Sequence, residues 1–210
     1  MLLDYVSAAL VTLLVTLDPP ALAPIFVSLT RGMNTQERQR VAIRASLIAF
    51  GILAFFGFGG EVLLRLLGVG LPAFRISGGL LLFWIAFEMV FERRNERKQQ
   101  TADTAITEDH IRNVAAFPLA IPLMAGPGAI TAVILLAGRA DGNLGLLAVL
   151  TALIALGVAS CFVVFSMADR VARLLGVTGN VVLSRLLGVI LAGLAVQFII
   201  NGVEALFRPA

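Results

Sequence analysis

Apolar positions along this chain fall in long unbroken stretches, not in the two-residue alternation of a half-buried strand or the one-sided stripe of a surface helix. Six such stretches lie at about 3–29, 41–63, 72–91, 113–137, 143–167 and 182–206. Each reaches the roughly 20 residues that a helix needs to cross the hydrocarbon of a bilayer. The pattern therefore predicts an all-α membrane protein with six transmembrane helices. The longest polar interval, 92–112, carries Arg93, Arg94, Arg97 and Lys98, then Asp103, Glu108, Asp109 and His110, with no apolar periodicity. It reads as a solvated polar linker between two parts, 1–91 and 113–210. The opening Met1-Leu2-Leu3-Asp4-Tyr5 lacks the basic start of a signal peptide and runs into an apolar stretch too long for a cleaved one, so the first segment is expected to remain as a helix.

Composition agrees with the pattern. Hydrophobic residues make up 59% and charged residues 14% of the 210, and mean hydropathy is +0.97, whereas soluble domains are about 45–50% apolar and about 25% charged. The lipid bilayer is the expected partner. The net charge of +3 does not point to nucleic acid, because the basic residues sit in small clusters between apolar stretches and not along one face. They act as topology signals. All but Arg65, Arg75, Arg139 and Arg208 of the 16 Lys and Arg fall in the first, third and fifth connections. Basic residues are retained on the cytoplasmic side, so the 92–112 linker is expected there and both termini outside, in a multi-pass inner-membrane protein. Cys161 is the single cysteine, which excludes an internal disulfide or a CxxC redox pair.

Short strings recur. Arg65-Leu66-Leu67-Gly68-Val69 returns as Arg173-Leu174-Leu175-Gly176-Val177, and each copy leads into Arg-x-x-Gly, at Arg75 to Gly78 and Arg185 to Gly188. Pro19, Pro24 and Ser28 match Pro122, Pro127 and Thr131 at one constant offset. Three helices is an odd number, so a second copy enters the membrane from the opposite side, giving two inverted three-helix repeats, the arrangement of many secondary transporters.

Within that frame, segments one and four cannot be continuous helices. Segment one holds Leu17-Asp18-Pro19-Pro20-Ala21-Leu22-Ala23-Pro24, and segment four holds Pro118, Pro122 and Gly126-Pro127-Gly128. Each proline removes a backbone donor and crowds the carbonyl four residues earlier. Broken backbone at membrane depth is tolerated only where it packs on protein or lines a polar cavity, so paired breaks predict a site between them. A half-helix starting at Pro127 would turn its free amides and positive dipole end toward that site, which suits an anionic group such as a substrate carboxylate. Asp18 is a carboxylate inside the span. It reads either as a cap for the half-helix opened by Pro19 or as a proton-coupling or amine-binding group. Gln197 and Asn201 share one face of the last segment, where they serve as helix glue or line the site. Gly78 and Gly79 read as close-packing positions, and Glu88 and Glu92 as interfacial partners of the neighbouring arginines.

Four motifs together resemble the MarC family over nearly the whole chain. They are Asp18-Pro19 through Pro24-Ile25-Phe26, Phe117-Pro118-Leu119-Ala120-Ile121-Pro122 into Ala125-Gly126-Pro127-Gly128, Arg75-Ile76-Ser77-Gly78-Gly79, and Ser184-Arg185-Leu186-Leu187-Gly188 through Gln197-Phe198-Ile199-Ile200-Asn201-Gly202. The resemblance implies transport of small neutral amino acids such as glycine and alanine, coupled to protons in some members. It departs in segment one, where many members read Asp-Pro-x-Gly-Asn and this chain has Asp18-Pro19-Pro20-Ala21-Leu22.

The expected function is therefore a secondary transporter with a midplane substrate site drawn from Asp18, Pro19, Ala21, Pro24, Gly126, Pro127, Gly128, Thr131, Gln197 and Asn201. A proton or another ion couples transport, with Asp18 the candidate, and assembly of identical chains is compatible with it. The rivals are an exporter of another small metabolite, and a non-transporting scaffold or lipid-handling protein. No P-loop or other cofactor signature is present. An enzyme is not expected, because His110 is the single histidine and lies in the polar linker, away from any candidate nucleophile. The same residue beside Glu108 and Asp109 is a poor metal set.

Overall fold

The computed structural model describes residues 2–107 and 114–207. Among these it is all helical, with no strand. Helices α1 (Leu2–Leu17) and α2 (Pro19–Leu29) form the first broken stretch, followed by α3 (Thr35–Leu66), α4 (Leu71–Val90) and α5 (Arg93–Thr107). An irregular wide coil, Ala115–Met124, leads into α6 (Pro127–Ala140), and α7 (Leu144–Ser166) and α8 (Ala168–Phe207) complete the chain. Five stretches have the length and apolarity to cross a membrane: Leu2–Leu29, α3, α4, α7 and α8. The wide coil and α6, bent by 57°, make a sixth if they count as one span.

Burial divides these elements into two sets. The α1–α2 stretch and α6 are the centre: Leu13, Leu17, Leu22, Phe26, Leu135 and Leu136 are essentially inaccessible. Around them, α3, α4, α7 and α8 keep Phe55, Phe58, Trp84, Leu156, Leu186 and Val189 on the outside. So much exposed apolar surface is a liability in water and is what a bilayer requires. Of the outer helices, α3, α4 and α7 are continuous, as is α8 beyond its kink at Gly176, because helical backbone bonds close internally whatever surrounds them. The two central stretches are broken, and only protein could accept that irregularity.

Close approach of backbones holds α4 against α8. A Cβ on Gly79 would lie 2.8 Å from the Ala195 carbonyl oxygen, on Gly188 3.0 Å from that of Ala86, and on Gly202 2.9 Å from that of Pro72. Small residues are the means by which membrane helices approach this closely, so Gly79 has the packing role its sequence context suggests. Gly78 faces the other way, toward Thr131 of α6.

The recurring Arg-Leu-Leu-Gly-Val strings share a local shape, since Gly68 and Gly176 both take positive φ, at 73° and 57°. In the first copy the chain turns there between α3 and α4. In the second, the helix resumes on the far side of Gly176, so the connection read between segments five and six is helical.

The interval 92–112 departs most from expectation. Instead of a solvated linker it forms α5 over residues 93–107, and two of its basic side chains, Arg94 and Lys98, are buried. No hydrophobic pattern announces this helix. Its inward face is basic because the surface it covers presents carbonyls and a carboxylate.

Candidate functional site

The first break begins with missing donors. In an uninterrupted helix the carbonyls of Val15 and Thr16 would accept from the amides four residues on, and those positions are Pro19 and Pro20, which have none. The chain ends α1 at Leu17, carries Asp18 through a left-handed conformation (φ 52°, ψ 61°), and restarts at Pro19. The two orphaned carbonyls are met from outside the stretch. Arg94 of α5 donates through Nη2 to the Thr16 oxygen at 2.6 Å and through Nη1 to the Val15 oxygen at 3.4 Å.

Asp18 occupies the capping position of α2, yet its side chain makes no capping bond. Its Oδ2 accepts instead from Lys98 Nζ at 3.2 Å, and both side chains are buried. The cap reading of Asp18 is thus replaced by an ion pair with a residue 80 positions away. Burial pushes the Lys98 ammonium down to about 8, against the opposing pull of the Asp18 charge.

The second break closes on itself. Phe117 and Ile121 are extended, each followed by a cis proline, and the amides of Leu119 and Ala125 reach back five residues, to Val114 at 3.3 Å and Ala120 at 2.8 Å. Among the described residues no charged side chain takes part. The Pro122 carbonyl folds over Gly126 so closely that a Cβ there would lie 2.4 Å from its oxygen, so only glycine fits. Gly128 is confined by a side chain instead, with Ile85 Cδ1 at 2.3 Å from a Cβ, an end that can shift. Pro127 opens α6 and Ile130 makes its first helical bond, to Gly126. The amides of Gly128 and Ala129 are those that such a start leaves without a helical partner.

Between the two breaks lies a cavity of about 310 Å³. Its wall is made by Thr16 from the first break, by Pro122 to Met124 and Gly126 to Ala129 from the second, by Leu81, Trp84 and Ile85 of α4, and by Arg94, Arg97, Lys98 and Thr101 of α5. Three of these residues are basic and none is acidic. Glu88 stands nearby, its Oε1 accepting from Trp84 Nε1 at 3.2 Å and from Arg97 Nη1 at 2.8 Å.

Of the residues singled out from sequence, Gly126, Pro127 and Gly128 line this cavity. Asp18 stands behind Lys98, one side chain removed from it. Pro19 and Ala21 are buried next to the first break, and Leu22 with them, so the positions where the chain departs from Gly-Asn face the apolar core. Pro24 faces a separate groove with Pro20, Asn95 and Gly176. Thr131 packs on Gly78. Gln197 donates to Asn201 at 2.8 Å in an exposed position, so this pair is satisfied on the outside of α8 and does not reach the cavity. His110, with Glu108 and Asp109, lies outside the described residues, and among the described residues no group of three potential metal ligands occurs.

Sequence reading missed Arg94, Lys98, Arg97, Trp84 and Thr16. One signal could have found the first two. Two consecutive prolines leave two consecutive carbonyls in need of donors, and Arg94 and Lys98 are four apart, on one face of any helix formed there.

The family model described as MarC family integral membrane protein matches residues 3–207. A UPF0056 membrane protein of Aquifex aeolicus is 36% identical over 202 residues, covering 95% of this chain and 92% of its own length. One from Archaeoglobus fulgidus shows the same identity and coverage. The UPF0056 membrane protein YhcE of Escherichia coli is 34% identical over 193 residues, 90% of this chain and 87% of its own. No solved structure matches.

Proposed function

The chain belongs to the MarC family of integral membrane proteins, and from that premise we propose that it is a secondary transporter of small neutral amino acids of the glycine and alanine kind. The observation that carries the reading is the cavity at which both helix breaks meet, walled by residues of both breaks and by the buried basic side chains Arg94 and Lys98. A non-transporting scaffold would leave that cavity and its charges without use. In this reading the wide coil and α6 count as one span, giving six, and 1–91 and 113–210 are inverted repeats that rock about the cavity. The α5 interval is cytoplasmic, both termini are outside, and the membrane is the inner one. Asp18 is the coupling group: a proton on its carboxylate would release Lys98, whose charge then acts on the ligand, while Arg94 keeps α5 on the first break.

The test is uptake by the purified protein in liposomes. Labelled glycine, alanine and serine should accumulate above empty vesicles, faster with a proton gradient, and Gly126→Leu should abolish uptake. Asp18→Asn should leave uptake that no longer responds to the gradient. No uptake of any of the three would remove the amino-acid reading.

A further inference from the structure

The charges around the cavity do not balance. Lys98 is paired with Asp18 at 3.2 Å and Arg97 with Glu88 at 2.8 Å. Arg94 is as buried as Lys98, at 7% exposure, yet among the described residues no carboxylate lies within ion-pair distance of it. Its partners are the Val15 and Thr16 carbonyls and the Met89 sulfur. Those three bonds leave two of the five N–H groups of a guanidinium unaccounted for. Neutral acceptors satisfy hydrogen bonds without supplying charge; Asp18 and Glu88 act on Arg94 only from beyond contact, each already paired with another cation, and a buried cation is costly unless an anion stands close to it. Gly128 and Ala129, in the first turn of α6, belong to the same wall, and a helix start favours negative charge near it.

We propose that the cavity is a carboxylate site whose counter-ion is Arg94, with no matching acidic partner for an ammonium group. Its ligand class is then the small monocarboxylate, with or without an amino substituent. This rests on the cavity being the ligand site of the proposed transporter, and it adds what that site reads. A Cα amino group is tolerated, and the carboxylate is recognised. The α5 helix thereby supplies a first break that has lost its own donors with both its structural cap and the charge that the ligand answers.

Trp84 is the chain's single tryptophan and lines the cavity, so its fluorescence reports occupancy without any transport. In detergent at neutral pH and low salt, titration with propionate, lactate and alanine should give saturable changes, with dissociation constants within about tenfold of one another. Alaninamide, propylamine and chloride at the same concentrations should give none. Arg94→Gln keeps an amide donor for the carbonyls and removes the charge, and it should weaken binding by about 10- to 100-fold. Asp18→Asn leaves the Lys98 charge unspent and should tighten binding several-fold.

The proposal is overturned if alaninamide binds as well as alanine, if chloride displaces propionate at equal concentration, or if Asp18→Asn weakens binding. Should Arg94→Gln fail to fold, the direction of the Asp18→Asn effect decides. Carboxylate binding without uptake would sink the transporter reading alone, and uptake of alanine that alaninamide inhibits equally would sink the carboxylate site alone.

Discussion

The break between α1 and α2 and the break ahead of α6 start from the same chemistry and are completed by different means. Both begin with prolines that strip donors from a central, buried stretch. The second is closed by its own backbone, through amides that reach back five residues and a carbonyl folded over Gly126. The first is closed by another helix, which brings Arg94 to two carbonyls and Lys98 to Asp18. A self-closed break needs no partner helix to satisfy it. A break closed from outside is as stable as the docking of its partner, and it opens when that partner leaves. The contrast is between a cavity wall closed by its own backbone and one closed by α5.

Removing partners separates the two cases. Lys98→Met strands the Asp18 carboxylate and should cost about 3–5 kcal/mol in unfolding experiments in detergent, while adding Asp18→Leu should return most of it. A double variant no more stable than the single one would mean that the pair does not act as a unit. Arg94→Ala leaves two buried carbonyls without donors and should cost about 2–4 kcal/mol. That cost should shrink when Pro19→Ala and Pro20→Ala restore the amides, and an undiminished cost would contradict the role given to Arg94. At the second break, Gly126→Ala drives a Cβ against the Pro122 oxygen and should cost about 1–3 kcal/mol, independently of any change in α5. The control is Gln197→Ala on the outside of α8, expected within about 0.5 kcal/mol of the parent.

Much of the fold was legible because membrane crossing leaves a one-dimensional signal. Apolar run lengths located the stretches to within a few residues for α4 and α7, and proline placement located both breaks. The signal faded where polar residues were buried. The run from Arg93 to Thr107 has the composition of a solvated linker, and the burial of Arg94 and Lys98 in it depends on acceptors more than 70 residues away in sequence. Hydropathy registers the charge of Arg94 and Lys98 but not the presence of those acceptors. Sequence marks Asp18 as needing a reason to be inside a span and offers a cap or a proton-coupling or amine-binding role; its partner Lys98 lies 80 positions away and the left-handed turn at Asp18 is not displayed in sequence. For Gln197 and Asn201, two polar residues on one face leave helix glue and site lining open, and in the structure they bond each other.

The claim that the ligand sits between the two breaks, against α5, is tested most directly by a cysteine placed in the cavity wall. Thr101 lines the cavity, and the native Cys161 is inaccessible at 0% exposure, so Thr101→Cys gives one reactive thiol. Glycine, alanine and propionate should each slow its labelling by a small maleimide in a saturable way. A labelling rate indifferent to all three, in protein that remains folded, would contradict the account.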